Sequence, residues 1–172
     1  MILPGNAIVT DATSIIALPA APLHALEIWS NPEAVAKRVQ KALGFALPPM
    51  NRSAGNAATT LLRFEPTVWL VEGDTSVLAD TLGDDGALTA IGGGVVRMRL
   101  AGPHWRELLL EGGVFDTSAA AFPVGATAAT IIDHVGVRLH AQSDEACIAY
   151  VPSSYAEGLH HFWEAALPLL GA

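Results

Sequence analysis

The sequence predicts an α+β fold made of two similar halves, each with the order β-α-β-β-α. Four amphipathic helical segments recur along the chain, pairs of short apolar segments separate them, and glycine or proline marks most of the boundaries. Pairs of strands between helices favour antiparallel or mixed sheets with the helices packed on one face, because a parallel sheet needs a crossover connection after every strand. The sequence therefore predicts α+β rather than a doubly wound fold.

The length of 172 residues fits one domain. Residues 1–22 hold three prolines and show no clean period, so we interpret them as an irregular N-terminal arm. Residues 23–172 are expected to form the single α+β domain. The two halves of its weak internal repeat cover about residues 23–86 and 87–170.

The first helix is predicted to begin at Pro32, because proline suits the first helical position, where no N–H is needed. Ser30 or Asn31 can cap this helix, and Gly44 can end it in the left-handed conformation that glycine tolerates best. Apolar residues at helical spacing predict a buried stripe. The stripe consists of Val35, Val39 and Leu43.

Short apolar segments predict the strands of the first half. They cover residues 24–29, 58–64 and 67–72, and the last two are joined by a Glu65-Pro66 turn. A second, short helix is capped by Asp74 and ends at Gly83. Its apolar side carries Val77, Leu78 and Leu82.

The second half begins in the same order. Strands at residues 87–91 and 95–100 flank Gly92-Gly93-Gly94, which we interpret as a flexible hairpin turn. A helix is predicted to open at Gly102-Pro103 and to end at Gly112-Gly113. Its buried side carries Trp105, Leu108 and Leu109.

Three more strands and a helix complete the second half. Residues 127–132 and 135–141 predict two strands around an Asp133-His134 turn, and residues 145–151 predict a third. Ser153 or Ser154 can cap the last helix. Its wide apolar stripe consists of Tyr155, Leu159, Phe162, Trp163, Leu167 and Leu170.

The composition is unusually apolar and poor in charge. Hydrophobic residues make up 51% of the chain and charged residues only 15%, against a usual charged share of about 25%, and the mean hydropathy is +0.39. Alanine accounts for part of this, so an alanine-rich monomer is one interpretation. The alternative is that a partner covers a good part of the surface, because large apolar patches are rarely left exposed.

The net charge of −8 argues against nucleic acid as a partner, because phosphate binding requires clustered lysine and arginine. The one basic cluster is Lys37, Arg38 and Lys41 on the first predicted helix, and a solvated helix face explains it. The N-terminus has neither the charged start of a secretory signal nor about 20 unbroken apolar residues for a membrane span. The expected localisation is cytoplasmic, away from the membrane.

The serine, cysteine and acidic residues form no recognisable nucleophilic site. The pattern G-x-S-x-G is absent, and Ser53, Ser153 and Ser154 are predicted to lie in turn or cap contexts. Asp133 and His134 are adjacent, which is typical of a hairpin turn rather than of a catalytic pair. The single cysteine is Cys147, which lies in an apolar strand and is expected to be a buried structural thiol.

Histidines and glycines also lack the spacing of known sites. His160 and His161 are neighbours on a helix, so their side chains diverge by about 100° and cannot chelate one ion together. A surface pair of His160 with Glu164, or of Glu157 with His161, is expected instead. Gly92-Gly93-Gly94 is followed by a strand rather than by a helix that could bind phosphate. The sequence thus predicts no catalytic, cofactor-binding or metal-binding residue in this chain.

Several short sequence motifs of the second half occur in the same order in one known family. They are VRMRLAGPHWRELLLE at residues 96–111, GVFD at 113–116, AFPVG at 121–125 and YVPSSYA at 150–156, with Trp163 beyond them. On these motifs the chain resembles the gamma subunit family of heterotetrameric sarcosine oxidase over about residues 55–170. One departure is Ser153, where the family usually carries arginine.

The resemblance implies a fold similar to the folate-binding domain of the glycine cleavage T-protein, in reduced form. It implies alpha, beta and delta subunits as partners, which hold FAD, FMN, NAD and tetrahydrofolate and oxidise the N-methyl group of sarcosine. No established catalytic group of the gamma chain carries over. The expected function is that of a non-catalytic gamma subunit of a sarcosine oxidase-like complex that oxidises N-methylated amino acids.

Two other functions stay open. A stand-alone folate-binding or one-carbon transfer protein would need a pocket between the halves and a carboxylate that faces the pterin. Asp116 is the best-placed candidate for that carboxylate, and a turn or cap role also explains it. A homo-oligomeric scaffold that covers its apolar surface with further copies of itself is the third possibility.

Overall fold

Two five-stranded sheets form the centre of the computed structural model, which describes residues 12–170 of the chain. Every strand pair in both sheets is antiparallel. In chain order the elements are β1 (Ser14–Ala17), β2 (Leu23–Ile28), α1 (Pro32–Leu43), β3 (Ser53–Gly55), β4 (Thr59–Arg63), β5 (Val68–Gly73), α2 (Leu78–Leu82), β6 (Gly86–Ala90), β7 (Val95–Ala101), α3 (Trp105–Leu110), β8 (Thr127–Ile132), β9 (Val135–Ser143), β10 (Ala146–Pro152) and α4 (Ala156–Ala166).

The order of strands shows that each sheet takes four strands from one half of the chain and its fifth strand from the other half. Sheet I has the order β3-β4-β5-β2-β6, and sheet II has the order β1-β7-β10-β9-β8. Strand β6 lies beside β2 at the edge of sheet I, and strand β1 lies beside β7 at the corresponding edge of sheet II. The predicted α+β class with two similar halves is therefore confirmed, and the two strands that the sequence did not predict, β1 and β3, are both edge strands.

Three apolar clusters account for the layers. One lies between sheet I and helices α1 and α2, and another lies between sheet II and helices α3 and α4. The third lies between the two sheets, so each sheet has helices on one face and the other sheet on its opposite face. We call this contact between the sheets the seam. Its buried members are Leu23, Leu62, Phe64, Leu70, Ile148 and Tyr150.

The alternation of side chains along a strand explains how one sequence supplies two buried faces. In β10, Cys147, Ala149 and Val151 point to the helices, whereas Ile148 and Tyr150 point to the seam. Six of the seven residues of this strand are buried, the exception being Pro152, which is why the segment is continuously apolar. Within residues 12–170, no helix combines the length and the apolar character that spanning a bilayer requires.

The structure differs from the predicted irregular arm over residues 1–22. Residues 14–17 form strand β1, which pairs with β7, so this part of the arm is an ordered edge strand. Four residues are too short for a periodic pattern to reveal, and their pairing partner lies more than 80 residues away. The rest of the prediction, for residues 1–11, lies outside the described residues.

The three consecutive glycines do not form the predicted hairpin turn. Gly92–Gly94 forms a short 3-10 turn, and the strands on either side of it, β6 and β7, belong to different sheets. The segment is therefore a crossover from sheet I to sheet II. Sequence spacing alone cannot distinguish a hairpin from such a crossover, because both place two strands around a turn.

Helix α1 is fixed at its start by one carboxylate from another element. The predicted caps Ser30 and Asn31 do not bond to the helix N–H groups; both donate side-chain hydrogen bonds to Asp85, at 2.6 and 2.8 Å. Arg38 also donates to Asp85, at 2.7 Å. The hydrogen bonds from Ser30, Arg38 and Asn31 lower the pKa of Asp85 to about 2. Gly44 ends the helix with a φ of 79°, as predicted.

A substitution of Gly73, at the end of β5, tests how closely β5 packs against the bend that precedes β4. Gly73 has a φ of 105°, and a Cβ there would collide with the carbonyl oxygen of Ala58, in the bend that precedes β4. We expect Gly73→Ala to lower the free energy of unfolding by about 2–4 kcal/mol, since it combines left-handed strain with a backbone clash. Gly136→Ala is the control, because nothing lies within 4 Å of a Cβ there. Urea denaturation measures both; equal midpoints for the two variants would contradict the expectation.

Candidate functional site

Charged and polar side chains converge at one end of the seam. Glu72 comes from β5 in sheet I, whereas Arg97 and Tyr150 come from β7 and β10 in sheet II. The Tyr150 hydroxyl donates to Glu72 Oε2 at 2.7 Å, and the Arg97 guanidinium forms an ion pair with Glu72 Oε1. Arg97 also donates to the carbonyl of Pro19 at 2.7 Å. Both oxygens of the carboxylate are thus bonded across the seam.

The phenol of Tyr150 acts as a fixed hydrogen-bond donor. Burial raises its pKa well above the ordinary value, and the negative charge of Glu72 raises it further. The hydroxyl therefore keeps its proton at physiological pH and cannot serve as a base. The half-buried Glu72 carboxylate accepts from both a guanidinium and a phenol, which restrains its position, so this cluster joins the two sheets.

A serine and a histidine also meet at this end of the seam. Ser53 Oγ lies 3.0 Å from His140 Nε2 and donates to the carbonyl of Gly125, also at 3.0 Å. Burial lowers the pKa of His140, and the nearby charge of Glu72 opposes this effect. The Ser53 hydroxyl is within hydrogen-bond distance of both the His140 ring and the Gly125 carbonyl, and the tautomer of His140 sets which ring nitrogen carries the proton. The Gly125 carbonyl therefore competes with His140 for the serine proton that a catalytic histidine has to accept.

Tyr150 separates two spaces along the seam. On one side lies a polar cavity of about 270 Å³ that Glu72, Arg97, His140 and the turn at residues 56–58 line. On the other side lies an apolar groove of about 370 Å³. Small-molecule sites usually measure about 300–1,000 Å³ and are mainly apolar. The polar cavity lies below this range, and its ionic groups are bonded to one another. The groove is lined by Leu70, Ile91, Val95, Ala129, Ile131 and Pro152, among others.

The acidic candidates from the sequence lie away from the seam. Asp116 is exposed, and the Ser118 N–H donates to its carboxylate at 2.8 Å and lowers its pKa, which is a turn role. Asp133 and His134 have φ values of 45° and 67° and form the two-residue turn between β8 and β9. Burial raises the pKa of Cys147 to about 12, so this thiol is unreactive at neutral pH.

The remaining candidates form surface pairs or turns. His160 Nδ1 lies 3.6 Å from Glu164 Oε2, the predicted pair at helical spacing. Ser153 and Ser154 lie in a 3-10 turn before α4 and cap no helix N–H. Ser53 is in strand β3 and not in a turn as predicted. In the part of the chain that the structure describes, no three His, Cys, Asp or Glu side chains are close enough to hold a metal ion.

Sequence reasoning missed the seam residues, although one signal was present. Glu72 and Arg97 occupy strand positions whose neighbours two residues away, Leu70 and Val95, are apolar members of the seam face. A charge on an otherwise apolar strand face requires a partner when it is buried. That alternation could have identified both residues. It could not have paired them, because they lie 25 residues apart in different sheets.

Comparison with known proteins shows one family and one fold. The model of the "Sarcosine oxidase, gamma subunit family" matches residues 29–166. A chain of the heterotetrameric sarcosine oxidase from Corynebacterium sp. U-96, in complex with pyrrole 2-carboxylate, is similar with a TM-score of 0.82 and 19% identity, over 94% of this chain and 87% of that chain. The glycine cleavage system aminomethyltransferase T from Bartonella henselae is similar with a TM-score of 0.68 and 13% identity, over 90% of this chain and 46% of that chain. No curated protein sequence matches the chain.

Loss of the Tyr150 hydroxyl should weaken the contact between the sheets. We expect Tyr150→Phe to lower the free energy of unfolding by about 1–2 kcal/mol, because the half-buried charged acceptor Glu72 loses one donor. The same change at the exposed Tyr155 should stay within about 0.5 kcal/mol. Chemical denaturation with both variants checks this. An unchanged midpoint for Tyr150→Phe would show that the bond contributes nothing.

His140 should make stability depend on pH. Its pKa is below 6.5 in the folded chain, so the unfolded chain binds more protons as the pH falls through 6.5, and stability decreases in that direction. We expect His140→Gln to show a smaller loss of unfolding free energy than the wild type between pH 7.5 and pH 5.5. His134→Asn, at the exposed turn, is the control and should keep the wild-type slope. A His140→Gln slope as steep as that of the wild type would contradict the assignment.

Proposed function

The chain belongs to the sarcosine oxidase gamma subunit family, and we propose that it is the non-catalytic gamma subunit of a heterotetrameric, sarcosine oxidase-like flavoenzyme complex. In this proposal the complex acts in the cytoplasm and oxidises N-methylated amino acids such as sarcosine. The observation that carries the proposal is the family match over residues 29–166, which runs from the end of β2 to the end of α4.

The partners in this proposal are the alpha, beta and delta subunits. They hold FAD, FMN, NAD and tetrahydrofolate, and the present chain contributes no ligand to any of these cofactors. The similarity in fold to a chain of a heterotetrameric sarcosine oxidase, over 94% of the present chain, supports an assembly of this kind.

The chemistry of the seam supports a role without catalysis. Glu72 accepts from Arg97 and Tyr150, and Ser53 donates to a backbone carbonyl. A general base or a nucleophile needs a free lone pair that faces a substrate. These groups form hydrogen bonds within the protein, across the seam, so their role in this proposal is to stabilise the contact between the sheets.

The surface supports assembly with other chains. Ten large apolar side chains are exposed in the described part of the chain, in a protein with only 15% charged residues. Where such side chains form a contiguous patch, they are a mark of protein–protein contact, whereas singly scattered ones are ordinary. Coverage by other subunits explains both the composition and these side chains.

A stand-alone folate-binding protein is the second candidate, and the polar cavity beside Glu72 is the observation in its favour. The cavity lies between the halves, where such a protein needs one. Its volume of about 270 Å³ is small for a pterin cofactor, and the predicted carboxylate, Asp116, lies on an exposed turn elsewhere. Calorimetric titration with tetrahydrofolate separates the two candidates, because the gamma subunit should release no binding heat.

Co-expression with the neighbouring genes tests the main proposal. A tag on this chain should recover a yellow complex with three other chains in equal amounts, and the complex should consume oxygen when sarcosine or a related N-methylated amino acid is added. The control is the same co-expression without this gene, which should lower the yield of the assembled complex.

Two results would count against the proposal. One is recovery of this chain alone as a stable monomer while the other three chains assemble and turn over normally. The other is a homo-oligomer in light scattering that persists in the presence of the other subunits.

A further inference from the structure

One exposed apolar patch lies at the edge of sheet II. Gly113 pairs with Ile132 in an isolated antiparallel bridge, so the next residue, Val114, lies opposite Ile131 on the same face. Val114 is 79% exposed and Ile131 is 54% exposed. The Gly113 N–H also donates to the carbonyl of Leu110, at the end of helix α3. We call Val114 and Ile131 the edge patch.

The edge patch continues into the apolar groove. Ile131 is a wall of the 370 Å³ groove, together with Ala129 of the same strand and Val95 and Pro152 from neighbouring elements. The groove can take a side chain from a partner, and the edge patch beside it can pack against the surface around that side chain. Interfaces that bind tightly have this anatomy, with a central anchor in a pocket.

Acidic side chains outnumber basic ones beside the edge patch. Between residues 106 and 138 the sequence holds four acidic residues and two arginines. Arg106 donates to two backbone carbonyls, and Arg138, which lines the groove, pairs with Glu65. Glu111 lies two residues before Gly113, and the backbone N–H of Asp133 donates to the Gly112 carbonyl, so both residues lie beside the patch. Within residues 12–170, Glu111, Asp116 and Asp133 take part in no ion pair. We call these three carboxylates the acidic rim, and a basic surface on a partner could pair with them.

We propose that the edge patch and the apolar groove are the face that this chain presents to a partner subunit, which inserts an aliphatic or aromatic side chain into the groove and places lysine or arginine against Glu111, Asp116 and Asp133. This inference rests on the proposed function and names the contact face within it. Charge complementarity identifies the partner surface, because an acidic rim attracts a basic one and disfavours another acidic one.

A competition experiment tests this inference. Wild-type and variant copies with different tags are co-expressed with the partner genes, and their ratio in the purified complex is compared with their ratio in the lysate. Val114→Glu should be depleted at least about tenfold, because a charge would enter the apolar centre of the contact. Val77→Glu is the matched control, since Val77 is also exposed and lies at the start of α2 on the other half. It should enter the complex like the wild type.

Charge reversal tests the acidic rim separately. Glu111→Lys should be depleted from the complex at low salt, and the depletion should shrink as sodium chloride screens the rim. Circular dichroism and urea midpoints equal to those of the wild type show that both variants fold. Depletion of Val114→Glu and Glu111→Lys, with Val77→Glu retained, supports the inference.

The possible failures are distinguishable. If the wild-type chain does not enter a complex, the proposed function fails and the contact face fails with it. If the wild type enters and Val114→Glu enters equally well, only the contact face is wrong. If the isolated chain forms a dimer in light scattering that Val114→Glu abolishes, a second copy occupies the face and the inference is overturned.

Discussion

Each sheet carries helices on one face only, so the opposite face of each sheet has to be covered by the other sheet. The buried apolar part of this seam is small, and the Glu72 contacts to Arg97 and Tyr150 add direct links between the two layers. Because a carboxylate that is partly removed from water is costly unless it stays bonded, these contacts restrict how far one sheet can slide over the other. The polar cavity and the apolar groove are the spaces that this fixed packing leaves on either side of Tyr150.

Two chain segments cross the seam, and the internal repeat relates them. Residues 18–22 connect β1 of sheet II to β2 of sheet I, and residues 91–94 connect β6 of sheet I to β7 of sheet II. Leu18, Ile91 and Val95 from these crossings all pack against the seam. Strand β1 therefore does more than extend an edge: it completes the repeat and starts a crossing whose Pro19 carbonyl accepts from Arg97.

The sequence predicts local features well, because they depend on nearest neighbours. Helix α1 begins at Pro32 and ends at Gly44 as expected, and the Asp133-His134 turn joins two strands as expected. Pairing between distant strands follows no local signal, which is why β1 was missed and why Gly92–Gly94 was interpreted as a hairpin rather than as a crossover. The same holds for the seam, where Ser53 and His140 are separated by 87 residues and meet only once both sheets are in place.

The seam and the surface have different roles: the seam stabilises the fold, and the surface is available for recognition. Acids and bases in the seam bond to each other, so the features left for recognition are shape, apolar contact and net charge outside it. A partner that covers the groove binds the folded chain and not the unfolded one, so binding adds to stability by mass action. It also removes water from the groove wall behind Tyr150, where a lower dielectric strengthens the Tyr150 bond to Glu72. In the proposed complex, assembly and the packing of the two sheets would therefore reinforce each other through Tyr150.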